Sequence, residues 1–132
     1  MRRGFTILIA DRNPRVREFL KREMISEGYA VQLARNGREV LQCVNGGKPP
    51  DLLILDLDLP DAGQTALLEE VQECMPTLPV VVHTLLSDYL NHPPILSNVA
   101  LVEKEGTNID SLKNVVLDVL RKSYPKRVLP AT

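Results

Sequence analysis

Cysteine is scarce in this chain, with Cys43 and Cys74 the only two in 132 residues. They lie far apart and show neither CxxC nor Cys/His ligand spacing, which speaks against a disulfide framework or a thiolate metal site. Each falls among apolar positions of a helical pattern, so both are expected to be buried free thiols, as suits a reducing cytoplasm. Net charge is equally scarce. At −1 it gives no whole-chain electrostatic reason to bind nucleic acid or a membrane, and neither is expected as a direct partner. Arg12, Arg15, Arg17, Lys21 and Arg22 crowd one segment, and Arg121, Lys122, Lys126 and Arg127 another. Both groups read as solvated surface, on a helix face and in a tail. Long apolar runs are missing too. Arg2 and Arg3 precede one as in an export signal, but it stops at Asp11 after about six residues, far too short to span a bilayer. A cytoplasmic protein is expected.

What is present is an ordinary globular composition, 25% charged and 44% apolar, at a length that suits one domain with one core. Short runs rich in Ile, Leu and Val stand at 5–10, 51–56, 79–83 and 99–102, without alternation, as in buried parallel strands. A more polar run at 29–33 suggests an edge strand. Helical patterns lie between them. Asn13 and Pro14 open the first, whose stripe is Val16, Phe19, Leu20 and Met24 and whose end is Gly28. Asn36-Gly37 opens a second with Val40, Leu41 and Val44. A third carries Leu67, Leu68, Val71 and Met75 and stops at Pro76. The last, capped by Asn108 or Thr107, carries Leu112, Val115, Val116, Val119 and Leu120, with Asp110 in its first turn. Pro93-Pro94 limits any helix between the last two strands to about 86–92. Strand and helix thus alternate five times, which predicts an α/β doubly wound sheet over 1–122, followed by a proline-containing basic tail or linker at 123–132.

Each of the four apolar runs ends in a polar group, the edge-like run at 29–33 standing apart. Asp11 closes the first predicted strand, Asp56 the third, Thr84 the fourth, and Glu103-Lys104 the fifth. In one parallel sheet these groups emerge at the same carboxyl edge, where α/β folds bind ligands. Two carboxylates, a hydroxyl and an ammonium in one crevice suit the handling of a phosphoryl group. Every one of them has a plainer reading. Asp56 would cap a loop, Asp11 would accept hydrogen bonds at the start of the first helix, Thr84 would be a β-branched strand residue and Lys104 a solvated side chain. Arg12 has two readings: solvated beside Arg15, or a guanidinium set among Asp11, Asp56 and Asp58. His83 and His92 have no ligand partner at useful spacing, and His83 is expected to fill its strand with one hydrogen bond. No glycine-rich phosphate loop follows the first strand, where Asp11-Arg12-Asn13-Pro14 stands instead, which argues against a nucleotide binder or small enzyme.

Four pieces together, I-L-I-A-D-R-N-P-R-V-R at 7–17, D-L-L-I-L-D-L-D-L-P-D at 51–61, P-V-V-V-H-T at 79–84 and L-V-E-K at 101–104, resemble the receiver domain of two-component response regulators over residues 4–122. The resemblance implies a flavodoxin-like sheet of order 2-1-3-4-5 and a signalling domain rather than an enzyme. Asp56 would accept a phosphoryl group from a phosphohistidine on a histidine kinase or phosphotransfer protein, as a carboxylate nucleophile. Thr84 and Lys104 would bind phosphoryl oxygens. Asp11, Asp56 and Asp58 would hold Mg²⁺, the last through its backbone carbonyl. The partner would dock near the first helix, and the signal would leave through the fourth and fifth helices with the fifth strand, toward an unknown downstream protein or output domain. Several positions depart from the family. Arg12 replaces its second strand-1 acid, Leu101 its aromatic switch residue, Leu85 its small residue after the threonine, and Glu105 its proline after the lysine. The glycine before the third helix stands one residue early, at Gly63, with Gln64 in its place. The alternative is a pseudo-receiver, a phosphorylation-independent interaction module with Arg12 replacing the metal.

Overall fold

The computed structural model describes residues 4–61, 64–85, 99–104 and 108–127. Five parallel strands form one sheet in the order β2-β1-β3-β4-β5, a flavodoxin-like arrangement. The strands are β1 (Thr6–Ala10), β2 (Ala30–Ala34), β3 (Leu52–Leu55), β4 (Val80–Thr84) and β5 (Val99–Glu103). The helices among the described residues are α1 (Pro14–Ser26), α2 (Gly37–Val44), α3 (Gln64–Cys74) and α4 (Ile109–Ser123). The expected segment at 86–92, with His92, lies outside the described residues, as do Gly63, Glu105, Thr107 and the stretch 128–132.

The non-alternating strands follow from burial on both faces. Leu8, Ala10, Leu53, Leu55, Val80 and Val82 meet Val40 and Val44 of α2 and Leu67, Leu68 and Val71 of α3. Ile7, Ile9, Leu52, Ile54 and Val81 meet Leu20 and Met24 of α1 and Leu112, Val116 and Leu120 of α4. Each of these larger side chains contributes about 1.5–3 kcal/mol relative to exposure. β2 pairs only with β1, Thr6 opposite Ala30 and Ala10 opposite Ala34. It is an edge strand, which explains its polar Gln32. Helix starts are set by caps. Asn13 Oδ1 accepts from Arg15 N at 2.9 Å, with Pro14 at the first helical position. Asn36 Oδ1 accepts from Glu39 N, and Asn108 Oδ1 from Ser111 N. Gly28, at φ +95°, takes the left-handed conformation that lets the chain leave α1 for β2.

Four expectations need correction. Phe19 is 41% exposed and not part of the core stripe of α1. Cys43 is half-buried against the core, but Cys74 is exposed, because at the end of α3 it is Met75 that turns toward the interior. Arg17 is half-buried, and Arg127, although exposed, is tied to the body of the protein, so neither is merely solvated. The first holds the loop after β1, as described below. The second stacks 4.5 Å over the Phe5 ring and pairs with Asp51 Oδ1 at 2.8 Å. Tyr124 joins it there, donating its hydroxyl to the Asp51 carbonyl at 2.7 Å, while Asp51 Oδ2 accepts from Thr6 N. These contacts clasp the end of α4 to the amino-terminal edge of the sheet.

Candidate functional site

The sheet ladder runs one residue past the strands and fixes the roots of the polar side chains. Asp11 N donates to Ala34 O, Asp56 N to Ala10 O, and Lys104 N to Thr84 O. Asp11 and Asp56 therefore stand side by side beyond β1 and β3, at the point where the strand order reverses. That switch point is where such sheets open a crevice.

The sequence-identified residues Asp11, Asp56, Thr84 and Lys104 meet there. Lys104 Nζ lies 2.9 Å from Asp56 Oδ2 and 2.7 Å from Asp11 Oδ2. The bond to Asp56 is a directed hydrogen bond. Toward Asp11 Oδ2 the contact is ionic, and that buried oxygen accepts no well-aligned hydrogen bond. Asp56 Oδ1 accepts from Thr84 Oγ1 at 3.1 Å and from Asp58 N at 3.0 Å. Asp11, Asp56 and Thr84 are all buried, at 1%, 4% and 0% exposure, so the carboxylates lie in a region of weak screening. Burial raises the Asp11 carboxyl above its ordinary range, the Asp56 charge adds to that, and Lys104 and the Asn13 N–H oppose it. Burial also works against the Lys104 charge, but its close contacts with both aspartates outweigh that and hold it above the usual lysine value.

Asp58 and Arg12 sit at the mouth. Arg12 Nη1 pairs with Asp58 Oδ2 at 3.2 Å, with the two side chains 57% and 55% exposed. The guanidinium thus reaches one of the three carboxylates, between the two readings the sequence allows. Arg17, which sequence reasoning left on a solvated face, donates through Nη1 to the carbonyls of Asp11 (2.7 Å) and Arg12 (3.2 Å). Asn13 N donates to Asp11 Oδ1. The turn carrying Arg12 is pinned at three atoms. Arg17 was findable only as a cation one turn into α1, close enough to reach back. Asp61 was also missed. It accepts from Gly37 N and Arg38 N at the start of α2, and those amide bonds hold its carboxyl below the usual range. Leu101 and Leu85, at two of the departing positions, are 37% and 40% exposed. His83 lies on the face of β4 away from Thr84, and its Nδ1 is buried without a hydrogen-bond partner among the described residues.

A doubly wound domain whose switch point gathers two buried aspartates, a threonine and a lysine is, as a class, a receiver-type signalling module. The response regulator receiver domain model matches residues 7–93, and the chain belongs to that family. Over 88 residues it is 33% identical to the DNA-binding transcriptional regulator NtrC of Escherichia coli (strain K12), a match that covers 67% of this chain and 18% of that protein. The chain thus spans about a fifth of that relative's length. Among solved structures, the response regulator protein TrrA from Thermotoga maritima, in complex with Mg(2+)-BeF, has a TM-score of 0.74 at 29% identity, covering 88% of this chain and 99% of that one. A CheY-like receiver domain protein from Methanospirillum hungatei shares the fold, with a TM-score of 0.76 at 23% identity over 92% of this chain and 98% of its own.

Receiver domains typically bind Mg²⁺, which takes hard oxygen ligands in near-octahedral array. The side chains here do not fit that ion. A guanidinium, Arg12, stands at the crevice mouth where the family has another carboxylate, which removes an oxygen ligand and adds a repelling charge, and the two buried acids that face each other already share one ammonium. Among the described residues, no group of three or more acidic, His or Cys side chains is placed to hold a metal. No helix among them is long and apolar enough to cross a membrane.

Proposed function

We propose that this chain is the receiver module of a two-component phosphorelay, accepting a phosphoryl group on Asp56 from a phosphohistidine of a histidine kinase or phosphotransfer protein. The observation that carries the reading is the set of bonds around Asp56. Thr84 Oγ1 and Asp58 N reach one carboxylate oxygen and Lys104 Nζ the other. A carboxylate oxygen of Asp56 attacks phosphorus. The P–N bond breaks, and the departing imidazole nitrogen keeps the electron pair and takes a proton from solvent. Lys104 and Thr84 then move from the carboxylate to phosphoryl oxygens, where charge builds as the bond forms. Transfer of the Thr84 hydroxyl from Asp56 to the phosphoryl group would pull on β4 and Leu85, and so begin the conformational signal.

Partner docking near α1 is supported by a groove between α1 and α4 lined by Val16, Phe19, Leu20, Ile109 and Leu112, which opens beside Lys104. An exposed Phe19 there is a contact surface for an apolar helix face. The pseudo-receiver is a second reading, favoured by the Arg12–Asp58 pair, which already supplies a cation to the mouth of the crevice. Incubation with acetyl phosphate separates the two, read by intact mass. One added phosphoryl group, lost in Asp56→Asn, is the expected result. If no adduct forms with or without divalent metal, the pseudo-receiver stands instead.

A further inference from the structure

Charge at the crevice poses a problem for any incoming phosphoryl group. Asp11, Asp56 and Asp58 are opposed by Lys104 and Arg12, three carboxylates against two cations. A dianion approaching this cluster needs compensation, and the side chains do not fit the divalent ion that usually gives it. Arg12 has the attributes to do so. Its backbone is fixed, because Arg17 holds the carbonyls of residues 11 and 12 and Asn13 N closes onto Asp11 Oδ1. Its partner is fixed to the nucleophile, because Asp58 N donates to Asp56 Oδ1. The side chain itself is more than half exposed, and an ion pair exposed on both sides is weakly held and readily exchanged. A planar fork of five N–H donors matches phosphoryl oxygens two at a time.

We infer that the Arg12 guanidinium, parked on Asp58 at the crevice mouth, swings onto the phosphoryl oxygens and takes the charge-neutralising place of a divalent cation, so that Asp56 is phosphorylated without metal. The inference rests on the reading of Asp56 as acceptor. With acetyl phosphate the balance is simple. A P–O bond to Asp56 forms, the P–O bond to acetate breaks, and acetate leaves as an anion with the electron pair. No proton moves.

The test follows adduct formation on the full chain by intact mass, in excess EDTA and in Mg²⁺. The initial rates are expected to agree within about twofold, and Arg12→Gln to slow both by about tenfold or more, the cost of removing one charge-stabilising group. Arg15→Gln, a neighbouring exposed arginine, should leave both rates unchanged, and Arg12→Asp should make acceptance depend on Mg²⁺. Circular dichroism melts of the variants confirm that they fold, which the exposure of Arg12 favours. An adduct that forms on the native chain only with Mg²⁺ overturns the inference and leaves Asp56 as acceptor. So does an Arg12→Gln rate in EDTA equal to the native one. No adduct in either condition overturns the acceptor reading, and the inference with it.

Discussion

His83 precedes Thr84 on β4 and points to the other face of the sheet, into the groove beside Val16, Leu20 and Lys104. Burial, and after it the Lys104 charge, pushes its imidazole down from 6.5 to about 4, against a smaller pull from Asp56. Between those two values the unfolded chain carries a proton that the native protein refuses, so stability rises with pH across this window and is lost on acidification. Lowering the pH from 7 to 5 should cost about 1–2 kcal/mol in urea unfolding. His83→Gln should flatten that slope. An unchanged slope in the variant would assign the acid sensitivity to other groups. At this scale Asp11, Asp56, Thr84 and Lys104 were legible because each ends an apolar run. The fact that one ammonium serves both Asp11 and Asp56 was not, since it depends on which strands are neighbours. Nor was Arg17, whose partners are backbone carbonyls that leave no mark in composition.

The first helix owes its starting point to Asn13, whose side chain takes up amide groups that the helix itself leaves unpaired. Asn13→Ala should lower stability by about 1 kcal/mol, measured by chemical unfolding, while the bond from the residue 13 amide to Asp11 Oδ1 survives. A much larger loss would mean that the turn carrying Arg12 is held by the Asn13 side chain and not by Arg17. Elements of this kind were well marked in the chain. Asn-Pro, Asn-Gly and the i, i+3, i+4 spacing of Leu112, Val115 and Val116 each state a local rule with little competition. Helix ends were less well marked. Cys74 and Met75 are equally apolar on paper, and only the turn of the chain toward β4 decides which one faces inward. Phe19 shows the same limit, because a stripe drawn by period alone is wider than the face the sheet can cover.

The order of the five strands came from the likeness of four short motifs to a known family, not from any residue pattern that encodes neighbours. Hydrophobic runs predict that a strand is buried, but not beside which other strand it lies. The clasp of Phe5, Asp51, Tyr124 and Arg127 was likewise invisible, since it joins positions 4, 51 and 127 through side chains that look like ordinary surface and tail. Arg127→Ala should reduce stability by about 1 kcal/mol, discounted for its partial exposure, and bare the Phe5 ring. The check is a thermal melt together with hydrogen exchange at Thr6, whose amide bonds to Asp51. Unaltered protection at Thr6 would show the clasp to be incidental. The clasp and the acidic crevice lie at opposite ends of five-residue strands, about 17 Å apart at some 3.3 Å per residue. That is about twice the distance over which physiological salt lets one charge feel another. A new anion at the top of the sheet therefore reaches the exposed Arg127 at the bottom only weakly, and packing against the sheet is the stronger route by which α4 would register it.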